Sequence, residues 1–247
     1  MRDIDNYTEN YLKPGFEEWQ VRYRRKKVLE IIENCRPRKI LEIGCGMEPL
    51  FTFLPEGSFN RYVIVEPSRE FYDNAQKLAK ERMDNIVCIN DFFTSKVHAD
   101  TEYDFDMIIC SSLLHELEKP ENMMEDIRAL CTEKTVVHIN VPNANSFHRV
   151  LAKKMGLIKD EHEMTERNTL LQQNRVFDLD SLQEFAKQCG FEVLEKGTYF
   201  VKPFSHAQME KMMEHGIADE KMLDGLYQMT EIMPDMGSEC YINCIIL

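Results

Sequence analysis

The sequence predicts an α/β fold built as a doubly wound, mostly parallel sheet. Three observations carry that expectation. Between residues 38 and 142, five short apolar runs alternate with stretches of helical period, the βαβαβ pattern of a parallel sheet with covered faces. Several of the runs are nearly continuous in apolar residues, as strands buried on both sides are. The first ends in Gly44-Cys45-Gly46, at a strand's C-terminal end, where doubly wound sheets bind their ligands.

The elements follow in order. Phe16 to Asn34 reads as a helix, with Phe16, Trp19, Tyr23, Val28, Ile31 and Ile32 on one broad apolar face and Pro37 marking its end. Strands are expected at 39–43, 61–66, 85–90, 105–110 and 135–141. A helix with Phe71, Ala75, Leu78, Ala79 and Met83 inward follows the second strand, and a stripe of Met123, Met124, Ile127 and Leu130 follows the fourth. Past Pro142, Phe147, Val150, Leu151 and Met155 mark a helix, and 156–175 reads as irregular and polar. Asp180 is expected to cap a helix that Gly190 ends. A strand at 191–201, methionine-rich helical stretches around 209–213 and 222–233, and a last strand at 240–247 complete the chain.

The 247 residues, 43% hydrophobic and 30% charged, suit one globular α/β domain. A net charge of −13 repels phosphate backbones, so no nucleic-acid partner is expected. The basic run Arg22 to Lys27 reads as a solvated helix face. None of the eight cysteines forms a Cys-x-x-Cys pair, which suits a reducing compartment, and the cytoplasm is the expected location. The N-terminus shows no secretory apolar core, and no run reaches membrane-spanning length. No metal is expected: Leu117, two past His115, is not a ligand, and no Cys/His cluster has ligand spacing.

Three successive strand ends carry the chemistry. Gly44 and Gly46 let a ligand approach the backbone. Glu66 ends the second strand and offers two acceptor oxygens to the hydroxyls of a ribose. Asn90-Asp91-Phe92 ends the third, placing an acceptor for an adenine amino group beside an aromatic ring. A nicotinamide dinucleotide fits less well, since Pro49 stands at the third glycine position and Glu48 would repel a pyrophosphate. The loop suits an adenosine ligand without phosphates.

Taken together, Leu41-Glu42-Ile43-Gly44-Cys45-Gly46, Val65-Glu66-Pro67, Asn90-Asp91-Phe92 and Asp106 to Ser111 resemble class I S-adenosylmethionine-dependent methyltransferases, over about residues 38–142. The resemblance implies a Rossmann-like doubly wound sheet of seven strands, the last antiparallel, with a C-terminal helical lid or insert. It implies one methyltransferase domain over 1–247: a helical segment at 1–37, a cofactor-binding core at 38–142, and an acceptor-side lid with the final strands at 143–247. The cofactor would be S-adenosyl-L-methionine, leaving S-adenosyl-L-homocysteine. Its implied contacts are the glycine loop (Glu42, Gly44, Cys45, Gly46), Glu66 with Pro67 and Ser68 at the ribose, Asn90, Asp91 and Phe92 at the adenine, and Ser111 and Ser112 after the fourth strand. Arg24 and Arg25 of the first helix are candidates for its carboxylate, Arg25 foremost. Met47-Glu48-Pro49 departs from the fuller glycine loop, so individual backbone contacts are not carried over. Val141 to His148, Arg175 to Leu182 and Gly190 to Val193 further resemble methyltransferases of surface-polysaccharide and quinone-type pathways.

Methyl transfer from a sulfonium is an in-line displacement that rests mainly on positioning. A hydroxyl acceptor also needs a base. His115, just past the fourth strand and beside Glu116 and Glu118, is the first candidate. His138, in the fifth strand, is either a second candidate or a satisfied core histidine. Asn143, Asn145, His148, His162, Arg167, Arg175 and Tyr199 are candidates for holding the acceptor, with Lys202 and His206 weaker ones. The expected acceptor is a small polar molecule, preferably a sugar-like hydroxyl. An amine acceptor, or a cofactor-binding protein without turnover, remains open.

Overall fold

The computed structural model describes residues 4, 15–96, 104–165, 168, 169 and 171–247. Helix α1 (Glu17–Cys35) leads into β1 (Lys39–Ile43), β2 (Arg61–Val65), α2 (Arg69–Lys80), β3 (Ile86–Ile89) and β4 (Met107–Ser111). Then come α3 (Pro120–Ala129), β5 (Val136–Pro142), α4 (Phe147–Lys154), α5 (Leu179–Gln188) and β6 (Phe191–Tyr199). Helices α6 (His206–Glu214) and α7 (Glu220–Gln228) precede the last strand, β7 (Glu239–Ile246).

The seven strands form one sheet in the order β3-β2-β1-β4-β5-β7-β6. Strands β1 to β5 pair in parallel, and β7 runs antiparallel to both β5 and β6. The chain reverses its winding between β1 and β4, which opens a crevice at their C-terminal ends. Two apolar layers hold the sheet. On one face Leu41, Val63, Ile108 and Val137 meet Met124 and Ile127 of α3 and Leu182 and Phe185 of α5. On the other, Ile40, Tyr62, Ile64 and Ile109 meet Tyr23, Val28 and Ile31 of α1 and Met209 of α6. Residues one apart on a strand thus serve opposite layers, and the central strands are covered on both faces.

Four local expectations are corrected. The cap of α5 is Asp178, not Asp180: Asp178 is extended and accepts from Ser181 N at 2.7 Å, while Asp180 lies in the first turn. Helix α2 stops at Lys80, so Met83 lies beyond it and is exposed. Strand β6 stops at Tyr199 because Phe200 takes φ +59°, outside the extended region. Strand β4 starts at Met107 and takes in Ser111. Among the described residues, no helix is long and apolar enough to cross a membrane.

Candidate active site

A cavity of about 1180 Å³ runs along the C-terminal edge of the sheet. Its floor is the glycine loop with Glu66 and Pro67, Phe92 to Thr94, and Ser111 to Leu113. Helix α1 forms one wall, and Thr165, Asn168, Leu171, Gln172 and Gln173, with Lys202, His206, Ala207 and Glu210, close it further. A recess of about 30 Å³ adjoins it between His115, Asn143, Arg149, Asn168 and Arg175.

The loop after β1 is shaped for close approach. Gly44 has φ +75°, and a Cβ built on it would meet nothing within 4 Å. Glu66 organises this loop from below: its Oε2 accepts from Cys45 N at 2.9 Å and Gly46 N at 3.3 Å, and its Oε1 accepts from Ser68 N at 2.8 Å. Burial raises the Glu66 carboxyl above its ordinary range, against the pull of those three N–H groups. Glu42, 4% exposed, accepts from Tyr62 OH at 2.9 Å, and burial pushes its carboxyl up to about 8. Phe92 stays 44% exposed on the cavity floor, an open ring face at the β3 end.

Ser112, just past β4, takes φ +54°, a left-handed conformation that costs a non-glycine residue about 1–2 kcal/mol. Asn140 holds it there, because Ser112 N donates to both Asn140 O (3.0 Å) and Asn140 Oδ1 (2.9 Å). The 3₁₀ turn Leu114–Glu116 then presents His115 on the cavity wall, 2% exposed, with Nε2 at 3.8 Å from Glu116 Oε1.

The cavity gathers Glu42, Gly44, Cys45, Gly46, Glu66, Pro67, Phe92, Ser111, Ser112, Arg25, His115, Asn143 and His148. Arg25 is also committed to Glu48 Oε2 at 2.6 Å. Asn143 spends its amide on Asp235 O and Gly237 O, and its Oδ1 on Asn145 N, so its role in the loop is structural. Arg175 reaches only the small recess and pairs with Glu121 at 2.6 Å.

Other candidates lie elsewhere. Ser68 caps α2. Asn90 ties β3 to Glu66 O at 2.9 Å, and Asp91 accepts from Phe92 N at 2.7 Å, each off the cavity wall. Asn145 and His162 are exposed side chains, both meeting Asp178. Tyr199 is fully buried, its OH on Glu239 Oε2 at 2.5 Å. His138 is buried in the sheet with both ring nitrogens engaged, and burial pulls its pKa down to about 4. It is a satisfied core histidine. Arg167 lies outside the described residues. Residues the sequence does not single out complete the wall: Glu17 and Gln20 of α1, Glu210 of α6, and Glu239.

A methyltransferase-domain family profile matches residues 16–196, well over half the chain. The chain belongs to the methyltransferase-domain family. It is an enzyme of the class I kind, and its methyl donor is S-adenosylmethionine. No curated protein matches the methyltransferase in sequence. Several solved structures share its fold. N-methyltransferase NodS from Bradyrhizobium japonicum WM9, in complex with S-adenosyl-L-homocysteine, is 11% identical with a TM-score of 0.53, covering 91% of this chain and 86% of its own. The plantazolicin methyltransferase BamL, in complex with a triazolic desmethylPZN analog and S-adenosylhomocysteine, is 15% identical at 0.52, covering 98% and 96%. The [4+2]-cyclase SpnF is 16% identical at 0.52, covering 83% and 73%, so this architecture also hosts chemistry other than methyl transfer.

The donor fits the residues present. The bare face of Gly44, the Glu66 carboxylate behind the loop and the open Phe92 ring stand in order along one edge of the cavity.

Proposed function

We propose that the chain transfers a methyl group from S-adenosylmethionine to a small polar acceptor bound in the same cavity, preferably at a hydroxyl. One observation carries this reading. The cavity is continuous from the glycine loop past Ser112 to His115, and its volume of about 1180 Å³ exceeds the 300–1,000 Å³ typical of a single small ligand. Donor and acceptor therefore have room side by side.

In this reading Gly44, Cys45, Gly46, Glu66, Phe92, Ser111 and Ser112 hold the donor, which when bound supplies an activated methyl on a sulfonium. The walls fix the acceptor in line with that carbon and exclude water, worth on the order of 7–11 kcal/mol of barrier. His115 takes the hydroxyl proton, with Glu116 beside it. His148 and Arg149, which also line the cavity, orient the acceptor. Eight cysteines, all free thiols, support a cytoplasmic setting.

An amine acceptor is the second reading, favoured by the Glu210 carboxylate of α6 on the cavity lining. The test is transfer of labelled methyl to a panel of sugars, phenols and amines, preceded by calorimetry with S-adenosylhomocysteine. Binding with turnover on hydroxyl compounds supports the first reading, and turnover confined to amines supports the second. Binding without turnover on any compound defeats both and leaves a cofactor-binding module. No heat with S-adenosylhomocysteine defeats all three.

A further inference from the structure

The α1 wall of the cavity commits most of its hydrogen-bond donors to groups of the protein itself. Glu17, Gln20 and Arg24 follow one another at i, i+3 and i+7 and so share a helix face. Across from them lie Ser238 and Glu239, where β7 begins. Arg24 grips Glu239 with two nitrogens, Nε to Oε2 at 2.9 Å and Nη2 to Oε1 at 2.6 Å. Tyr199 OH donates to Oε2 at 2.5 Å, and Gln20 Nε2 donates to Oε1 at 3.1 Å and to Ser238 Oγ at 2.8 Å. Most of the donors of this wall are thus spent on Glu239, and Arg24 Nη2 also reaches Glu17 Oε1 at 3.4 Å. His206 Nε2 likewise faces Glu17 Oε2 at 2.9 Å.

Two acceptors are left over. The first is Gln20 Oε1, buried and without a hydrogen-bond partner, on a side chain 3% exposed that lines the cavity. Its orientation is settled by chemistry: turning the amide over would set its oxygen against the Glu239 carboxylate. An orphaned buried carbonyl costs about 1–3 kcal/mol, and a ligand that donates to it recovers that cost. The second is the Glu210 carboxylate of α6, half-buried on the lining of the same cavity, with no cation paired to it among the described residues. A carboxylate in that setting asks for a positive charge, and the net charge of −13 draws cations toward the cavity.

We infer that the acceptor carries a protonated nitrogen, an ammonium or a similar small organic cation, which the cavity recognises through Gln20 Oε1 and Glu210. The inference rests on the proposed function, because it names the class of molecule that shares the cavity with the donor. It places the methylated atom elsewhere on the same molecule, at a hydroxyl or a second, neutral nitrogen, because a protonated nitrogen has no lone pair with which to attack the methyl carbon.

The test is binding, read by calorimetry on the full chain saturated with S-adenosylhomocysteine. The probes are matched pairs: tyramine against tyrosol, glucosamine against glucose, putrescine against butane-1,4-diol. At least one amine is expected to bind about tenfold or more tighter than its neutral partner, as a charge-assisted hydrogen bond implies. Glu210→Gln keeps the side chain's shape and is expected to reduce that preference to about twofold or less. Gln20→Met is expected to weaken the amine while leaving tyrosol, glucose and the diol unchanged; should it fail to fold, Glu210→Gln decides alone. Equal binding within every pair, no amine binding, or a preference that survives Glu210→Gln overturns the inference. Loss of S-adenosylhomocysteine binding to the unmodified chain would instead defeat the proposed function.

Discussion

Asn140 donates its side-chain N–H to Nε2 of His138 at 3.0 Å, and this contact decides which ring nitrogen carries the proton. Asn140 cannot be turned over, because its Oδ1 accepts from Ser112 N at 2.9 Å. Nε2 of the ring is therefore the acceptor and Nδ1 the donor, to Asn243 Oδ1 at 2.8 Å. Asn243 Nδ2 donates onward to Glu195 Oε2 at 2.9 Å. A polar ladder thus runs from the turn after β4 across three strands, β5, β7 and the edge strand β6, with His138 neutral in the middle.

That neutrality has a pH signature. Burial pulls the folded ring's pKa down to about 4, from an ordinary value of about 6.5. Between those values the unfolded chain binds a proton that the native chain refuses, so stability falls as pH drops from about 6.5 toward about 4. The full loss is on the order of 3 kcal/mol. His138→Gln should be less stable at neutral pH but should lack this part of the slope, measured by denaturant unfolding at about pH 7 and about pH 5. Equal slopes in both proteins would refute the assignment.

Glu42 acts with the opposite sign. Burial raises its carboxyl to about 8 in the native chain, from an ordinary value near 4.5. Across that window the native state binds the extra proton, so stability falls as pH rises from about 4.5 to about 8. Glu42→Gln keeps an acceptor oxygen for Tyr62 OH and removes the titrating group. Its melting temperature should gain on the unmodified chain between about pH 6 and about pH 8. A difference that stays constant with pH would mean that Glu42 ionises normally.

Gly44, Glu66 and Phe92 are legible in the sequence because each stands just past a strand end, and strand ends are local features. Ser68, Asn90 and Asp91 sit beside them and carry the same signal, yet their side chains serve the backbone of those turns. Sequence position cannot tell a residue that lines a cavity from one that shapes its rim. The α1 wall is not legible at all. Gln20 meets Ser238 and Glu239 only after more than two hundred residues of chain have folded between them. Tyr199 misleads for a related reason: β6 ends in a tyrosine that reads as a pocket group until Glu239, on the neighbouring strand, claims its hydroxyl.

Gly44→Ala separates backbone strain from ligand space. At φ +75° an alanine costs about 1 kcal/mol in the free protein, and its methyl group meets no atom within 4 Å, so the fold should survive. The same methyl group stands where the glycine loop faces the cavity. S-adenosylhomocysteine affinity, read by calorimetry, should fall about tenfold or more while the melting temperature drops by only a few degrees, roughly 2–4 °C. Unchanged affinity would remove Gly44 from the donor site.

His115→Ala asks whether positioning alone suffices. A hydroxyl keeps its proton until the oxygen attacks, so losing the base should lower kcat by about 10²–10⁴-fold. A neutral amine brings its own lone pair and sheds a proton after transfer, so the same variant should cost it less than about tenfold. Since His115 lines the cavity beyond Ser112, away from the glycine loop in sequence and at a different strand end, donor affinity should be unchanged. The measurement is initial rate, by S-adenosylhomocysteine release, on the best hydroxyl and the best amine compound of the panel. A large drop on the hydroxyl with intact donor binding assigns His115 the proton. A small drop on both shows that the walls do the work by orientation, and that the base is another group or the solvent.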